Sequence, residues 1–152
     1  MTMPEAGQQQ SLATAHLIHD GESMAFEVTS RSGHTILLDA SDGHGGRRLG
    51  AGPMEAVLMA LAGCTGMDVI SILRKARQDI TDYRIEVHGL RADEHPRVYT
   101  EVEVVHIVSG HDLNESAVRR AVELSSTKYC PVSAMLAWGA LVSHRFELIS
   151  AD

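Results

Sequence analysis

The longest apolar stretch of the chain runs from Ala56 to Met67 and contains no charged residue. Its apolar side chains would fall on every side of a helix, which predicts a helix buried in protein or in a membrane. A membrane span needs about 20 predominantly apolar residues, and Asp68 and Arg74 interrupt this run. The pattern therefore predicts a buried central helix that begins near Pro53, a residue suited to a first helical turn.

Alternating polar and apolar positions predict strands on both sides of this helix. The expected strands are residues 12–19, 24–29, 35–39, 83–89, 98–108 and 142–149. After the fifth strand, Asp112-Leu113-Asn114-Glu115 predicts a capping box that opens a second helix, and Pro131 predicts the start of a third. The order β-β-β-α-β-β-α-α-β indicates an α+β fold with mainly antiparallel sheets around the central helix.

Length and composition predict one globular domain over residues 12–152. A chain of 152 residues with 44% hydrophobic and 22% charged residues can bury one core. Residues 1–11 are polar and rich in glutamine, so we expect a disordered N-terminal arm there. This arm has neither the basic region nor the apolar core of a signal peptide, which predicts a cytoplasmic protein.

Charge and motif content argue against several classes of function. A net charge of −7 and only 4% aromatic residues disfavour nucleic acid and anionic membranes as partners. The glycine-rich segment 42–52 lacks the sequence of a phosphate-binding loop, so we interpret it as a flexible connection and expect no cofactor. The nine histidines show no compact ligand spacing, and no metal is expected, although one histidine could converge with the two cysteines.

The two cysteines are the main candidates for chemistry. In the cytoplasm they are expected to be reduced or to pass through a redox cycle. Cys64 has small neighbours and shares a helix face with Asp68, so it either packs in the core or lines a space for a small molecule. Cys130 precedes Pro131 near a helix N-cap, where the helix dipole and Lys128 can lower a thiol pKa. Local chemistry thus predicts Cys130 as the better thiolate, with plain helix capping as the alternative.

Two segments resemble the OsmC/Ohr proteins, a family named for osmotic induction and organic hydroperoxide resistance. They are Pro53-Met54-Glu55 leading to Ala62-Gly63-Cys64-Thr65, and Lys128-Tyr129-Cys130-Pro131-Val132. The element order over residues 12–150 is also similar, and the resemblance is closest to the OsmC-like redox branch. It implies an intertwined homodimer with its long central helices packed together between sheets.

The resemblance also implies a thiol-dependent peroxidase. In such a cycle Cys64 attacks the peroxide and becomes a sulfenic acid, Cys130 condenses with it to a disulfide, and a thiol reductant reopens the bond. Peroxidase members of the family carry an arginine in the first hairpin, paired to a glutamate at the start of the central helix. This hairpin has no arginine, and Glu55 stands one position after the family's glutamate. Candidate replacements for the missing cation are Arg31, Arg47 and Arg48.

Glu55 has two possible roles. On an ideal helix it faces away from Cys64, so it either reaches a partner subunit and acts in catalysis or caps its own helix. The leading functional hypothesis is a redox protein that reduces organic hydroperoxides through Cys64 and Cys130 at a dimer interface. The alternatives are a small-molecule binding module whose pocket the thiols line, and a structural dimer with inert cysteines.

Overall fold

A computed structural model describes residues 11–19 and 21–151 of the chain. The predicted disordered arm, residues 1–11, lies outside the described residues except for its last position. The chain divides into two compact units, with the boundary between Ala56 and Val57. The expectation of a single domain stays a prediction.

The first unit contains the predicted antiparallel meander. Strands β1 (Ala13–Leu17), β2 (Phe26–Ser30) and β3 (Thr35–Leu38) form a sheet in that order. The turn between β2 and β3 places Gly33 at φ +85°, a backbone conformation that favours glycine. Each strand is shorter than predicted, because the alternating pattern extends beyond the residues that pair.

The glycine-rich segment after β3 folds around one buried carboxylate. Asp39 accepts hydrogen bonds from the backbone N–H groups of Arg47 at 3.0 Å and Leu49 at 3.1 Å. A short 3₁₀ helix, Asp42–His44, lies between Asp39 and Arg47 in the sequence. The backbone amides of the loop thus bind the chain's own carboxylate.

The central helix, α1, spans Pro53–Lys75 and begins where the sequence predicts. By length and composition alone it could cross a membrane, a test that core helices also pass. Its buried residues form one stripe with one member per helical turn: Leu61, Thr65, Val69 and Leu73. The expectation of burial on every side is therefore wrong for the single chain, in which Met59 and Met67 are 58% and 73% exposed.

The second unit contains a mixed sheet with β5 at its centre. Strands β4 (Asp79–Arg91) and β5 (Tyr99–His111) pair antiparallel, as predicted. Strand β6 (Leu141–Ser150) pairs parallel to β5 and is the exception in sheets that are mainly antiparallel, as expected. The reason is the helical connection between β5 and β6, since a crossover of that length returns the chain in the same direction.

This connection consists of α2 (Glu115–Leu124), a π-helical turn (Ser125–Tyr129) and α3 (Pro131–Leu136). The cap of α2 is Asn114, whose side-chain oxygen accepts from the N–H of Ala117 at 3.1 Å. The predicted capping box is therefore placed two residues too early. The core of the unit lies where α1, β5 and α2 meet, and comprises Val69, Leu73, Val108, Val118, Ala121 and Val122.

Candidate functional site

The structure brings the two cysteines together. Cys64 lies midway along α1, and Cys130 is the residue immediately before α3. Both are free thiols, and they lie close enough together that Cys64 raises the pKa of Cys130. Residues far apart in the sequence thus form one dithiol site within the second unit.

Cys130 is the sheltered member of this pair. Its side chain caps α3, because Sγ accepts a hydrogen bond from the backbone N–H of Ser133 at 3.4 Å. Only 3% of the residue is exposed, and this burial is the main cause that raises the thiol pKa to about 11. The contact with Cys64 raises the pKa further, whereas the N–H groups of the helix turn lower it.

The prediction that Cys130 is the better thiolate is therefore wrong. The capping geometry on which it rested is present, but desolvation outweighs the stabilisation that the capping N–H groups provide. Cys64, expected either to pack in the core or to line a space, is half-buried. The accessible sulfur thus belongs to α1.

A small polar cluster fixes the position of α1 beside Cys64. Thr65, the next residue, hydrogen-bonds through its hydroxyl to the buried Ser125 hydroxyl at 2.8 Å. Ser125 donates to the carboxylate of Asp68 at 3.0 Å. Because Ser125 opens the π-helical turn that ends immediately before Cys130, these bonds join the helix of one thiol to the segment of the other.

On the other side of Cys130, four side chains form a continuous hydrogen-bonded chain. The Ser133 hydroxyl lies 3.3 Å from Nε2 of His144, and Nδ1 of His144 lies 3.2 Å from Nε2 of His106. Nδ1 of His106 then lies 2.7 Å from the hydroxyl of Tyr83. The two imidazole rings stack at 5.5 Å between centroids.

Burial keeps these groups uncharged. Desolvation lowers the pKa of His106 to about 4, and His144 adds to this effect by charge repulsion. Desolvation also lowers the pKa of His144. Burial raises the pKa of Tyr83, and the carboxylate of Asp68 raises it further. At neutral pH the two imidazoles and the phenol of this hydrogen-bonded chain are therefore all neutral.

The sequence gives little indication of this chain of side chains. One signal is the position of His106 among valines and an isoleucine in residues 104–108, where both strand faces are predicted to be covered. A polar residue in a covered strand needs a hydrogen-bonding partner. The sequence does not identify that partner, because His144 comes from a strand whose parallel pairing was not predicted.

An open groove of about 660 Å³ lies along α1 on the side of Gly63, Gly66 and Met67. Tyr83 lines it from β4, so the hydrogen-bonded chain ends at a residue of the groove wall. Gly66 permits close packing here, since an added Cβ would lie 2.6 Å from Cδ1 of Ile85. The groove has the size of a small-molecule site.

Glu55 and the candidate arginines belong to the first unit. The Glu55 carboxylate accepts from the N–H of Gly52 at 2.7 Å, which is a helix-capping contact. Arg47 pairs with Glu22 at 3.4 Å, and Arg48 pairs with Asp42 at 3.0 Å. The N–H of Arg31 donates to the carbonyl of Leu12 at 2.9 Å. A catalytic role for Glu55 stays a prediction.

Among residues 11–19 and 21–151, no three His, Cys, Asp or Glu side chains are grouped closely enough to hold a metal ion.

Comparison with known proteins gives matches along most of the chain. The family model described as OsmC-like protein matches residues 43–145. Protein YhfA of Escherichia coli K12 is 42% identical over 130 residues, which cover 86% of this chain and 94% of that protein.

Solved structures show the same fold. A protein of Aquifex aeolicus has a TM-score of 0.81 at 28% identity, with 95% of this chain and 100% of that chain covered. An organic hydroperoxide resistance protein OsmC from Legionella pneumophila has a TM-score of 0.64 at 15% identity, with 96% and 100% covered. At that identity the second likeness concerns the fold alone.

Proposed function

The chain belongs to the OsmC-like protein family, and from this premise we propose that it is a thiol-dependent redox protein that reduces organic hydroperoxides. The observation that carries the proposal is the contact between a half-buried thiol, Cys64, and a buried thiol, Cys130. A redox pair needs one sulfur that a substrate can reach and a second within reach of the first.

In the proposed cycle Cys64 acts as the nucleophile. Its thiolate attacks the terminal oxygen of the hydroperoxide, so an S–O bond forms, the O–O bond breaks, and the alkoxide takes a proton to leave as an alcohol. The sulfur of Cys130 then attacks the resulting sulfenic acid. An S–S bond forms, the S–O bond breaks, and the hydroxide leaves as water after protonation. A thiol reductant finally reduces the disulfide by exchange.

A homodimer is part of this proposal. Supporting it are the faces of α1 outside the buried stripe, which are apolar yet exposed in the single chain, with Met59 58% exposed. A face of this kind marks an interaction site. Replacing Met59 with glutamate should shift sedimentation from dimer towards monomer, whereas Val98→Glu in the β4–β5 loop should not. A wild-type protein that sediments as a monomer contradicts the dimer.

The cation that stabilises the leaving alkoxide is not assigned to one residue. Arg47 and Arg48 each have a carboxylate partner in their own unit, and Arg31 also has interactions there. Separate substitutions of Arg31, Arg47 and Arg48 by glutamine identify it, because loss of a charge that stabilises the transition state lowers the rate on the order of 10²-fold. Glu55→Gln tests the catalytic role of the glutamate, since glutamine can retain the capping contact with Gly52. Cytoplasmic location stays a prediction.

The proposal is tested by organic hydroperoxide consumption in the presence of a dithiol reductant. Wild-type protein should turn over repeatedly, and Cys64→Ser should lose all protein-dependent consumption. Cys130→Ser should form the Cys64 sulfenic acid without completing the intramolecular disulfide. Unchanged consumption in Cys64→Ser, or none in the wild type, contradicts the proposal.

The groove along α1, whose lining includes neither Cys64 nor Cys130, supports a second candidate, a small-molecule binding module. Its volume of about 660 Å³ and its apolar lining by Met67 and Ile70 fit such a ligand. A binding module would retain ligand affinity in Cys64→Ser, whereas the redox protein loses its activity there. Calorimetric titration of both proteins with the same hydrophobic ligand separates the two functions.

A further inference from the structure

The hydrogen-bonded side chains Ser133, His144, His106 and Tyr83 run from the residue that holds the buried thiol to a residue in the wall of the open groove. The Ser133 end is tied to the thiol, since the backbone N–H of Ser133 donates to Sγ of Cys130. The Tyr83 end lines the groove. Every intermediate link is a direct contact of 3.3 Å or less. We call these four residues the relay.

The relay can carry a proton because its imidazoles are neutral. A neutral imidazole has one N–H donor and one nitrogen acceptor. The hydrogen bonds can therefore all point from Tyr83 to Ser133 or all point the opposite way. Conversion of one order into the other moves a proton from one end to the other and leaves no charge in the buried region.

The buried thiol needs such a route. Cys130 must lose its proton when its sulfur attacks Cys64, yet it is 3% exposed and its burial disfavours the thiolate. The titratable groups that bear on this region are Cys64 and Asp68 from α1, Tyr83 from β4 and the two histidines of the sheet. The negative charge of Asp68 near Tyr83 attracts a proton towards the groove end.

We propose that Ser133, His144, His106 and Tyr83 carry the proton of the Cys130 thiol to the groove while the Cys64–Cys130 disulfide forms. This inference rests on the proposed function, because it concerns its second step. His144 contacts the hydroxyl of Ser133, and the backbone N–H of the same residue holds the sulfur, so the imidazoles act as positioning and proton-transfer groups rather than on the sulfur itself.

The proton of the Cys130 thiol passes to Oγ of Ser133, and the proton of that hydroxyl passes to Nε2 of His144. The Nδ1 proton of His144 passes to Nε2 of His106, whose Nδ1 proton passes to Tyr83, and the phenol proton enters groove water. The sulfur of Cys130 is oxidised as the S–S bond forms, and the sulfenic sulfur of Cys64 is reduced as its S–O bond breaks. The leaving hydroxide takes a proton from solvent and becomes water, and the proton released into the groove replaces the one that solvent gave up. During reduction by a thiol the relay runs in reverse and protonates Cys130.

The test separates sulfenic acid formation from disulfide formation by rapid quench and intact mass. In His144→Leu we expect disulfide formation at pH 7 to slow on the order of 10²-fold, the contribution of a positioned proton-transfer group. Sulfenic acid formation should stay unchanged. The slow rate should rise with hydroxide concentration, about tenfold per pH unit, because the thiolate must then form directly in solvent. His88→Gln, an exposed histidine on β4, is the matched control and should behave as wild type.

Two further variants keep the proposal falsifiable if His144→Leu does not fold. His144→Gln can retain a hydrogen bond to Ser133 but cannot pass a proton, so it should be as slow as His144→Leu. Tyr83→Phe removes only the hydroxyl at the groove end and should also be slow. Disulfide formation within twofold of wild type in these variants, or a His144→Gln protein with restored rate, overturns the relay.

A second oxidant separates failure of the relay from failure of the proposed function. Diamide oxidises dithiols without a peroxide, and closure of its Cys64 adduct also requires deprotonation of Cys130. Disulfide formation with diamide that depends on His144, but none with hydroperoxide, supports the relay and contradicts the peroxidase. Disulfide formation with both oxidants that does not depend on His144 supports the peroxidase and contradicts the relay. No disulfide with either oxidant overturns both.

Discussion

Cys64 and Cys130 are chemically identical side chains in contact, yet their surroundings differ. Cys64 is half-buried on a long helix next to residues that line an open groove. Cys130 is enclosed, is held by the N–H of Ser133, and lies at one end of a chain of neutral polar groups. The surroundings of Cys64 give access, and those of Cys130 give a fixed position and a route for a proton.

The comparison shows that a short helix does not by itself make a reactive thiolate. The first turn of α3 provides the hydrogen bond expected at an N-cap, but removal of solvent has the larger effect on the thiol pKa. A protonated, enclosed sulfur suits a resolving cysteine, because it stays protected until a sulfenic acid forms beside it. The accessible sulfur suits the step that meets the substrate.

The largest expected difference between the two thiols is their rate of alkylation. At pH 7 a thiol with a pKa of about 11 is thiolate in only about one molecule in 10⁴. We therefore expect iodoacetamide to modify Cys64 at least about 10²-fold faster than Cys130, as measured by peptide mass mapping over time. In Cys64→Ser, modification of Cys130 should accelerate about tenfold per pH unit between pH 7 and 10. Faster labelling of Cys130 than of Cys64 at pH 7 would reverse the comparison.

The next largest effect is an acid sensitivity that arises from the Cys130 side of the site. His106 has a pKa of about 4 in the folded protein and the ordinary value of 6.5 when unfolded. The unfolded chain therefore binds a proton first as the pH falls, and the free energy of unfolding should decrease by about 3 kcal/mol between pH 6.5 and 4.

Urea unfolding at a series of pH values measures this effect. His106→Gln can retain hydrogen bonds to Tyr83 and His144 but does not titrate, so its stability should fall less steeply over this range. The exposed His88→Gln should follow the wild-type curve. Parallel curves for wild type and His106→Gln are incompatible with a buried neutral histidine.

A smaller effect is expected in the polar cluster on the Cys64 side. Ser125→Ala leaves Thr65 and Asp68 without their shared partner and should lower the free energy of unfolding by about 1–3 kcal/mol. The neighbouring Ser126 donates to the carbonyl of Glu123 in an exposed position, so Ser126→Ala should change stability by less than about 0.5 kcal/mol. Equal losses in the two variants would show that the Ser125 cluster does not fix α1.

Several elements were predictable because their signals are local. Pro53 and Pro131 each mark the first turn of a helix, and the alternating pattern locates every strand. The family motifs around Cys64 and Cys130 identify both thiols from a few neighbouring residues each. Strand ends were predicted less well, since β4 and β5 both extend beyond the alternating segments that indicate them.

Other features depend on contacts between distant residues, which a single sequence does not display. The parallel pairing of β6 follows from the path of two helices, and the burial of Cys130 follows from what packs around it. The relay depends on the parallel pairing of β6 and on the packing around Cys130, because it joins side chains from β4, β5, β6 and α3. The partial exposure of α1 could not be predicted from its uniform apolar character. An apolar helix surface indicates that the helix can be buried, but it does not identify the element or subunit that covers it.

The order of oxidation of the two sulfurs tests the account most directly. Each single variant is treated with one equivalent of an organic hydroperoxide in the presence of a sulfenic acid trap, and the modified residue is identified by mass spectrometry. In Cys130→Ser the trap should be found on Cys64, in Cys64→Ser the thiol of Cys130 should survive, and the wild type should form the Cys64–Cys130 disulfide. Trapping on Cys130 in Cys64→Ser, or two intact thiols in the wild type, would contradict the assignment of Cys64 as the attacking sulfur and Cys130 as the resolving one.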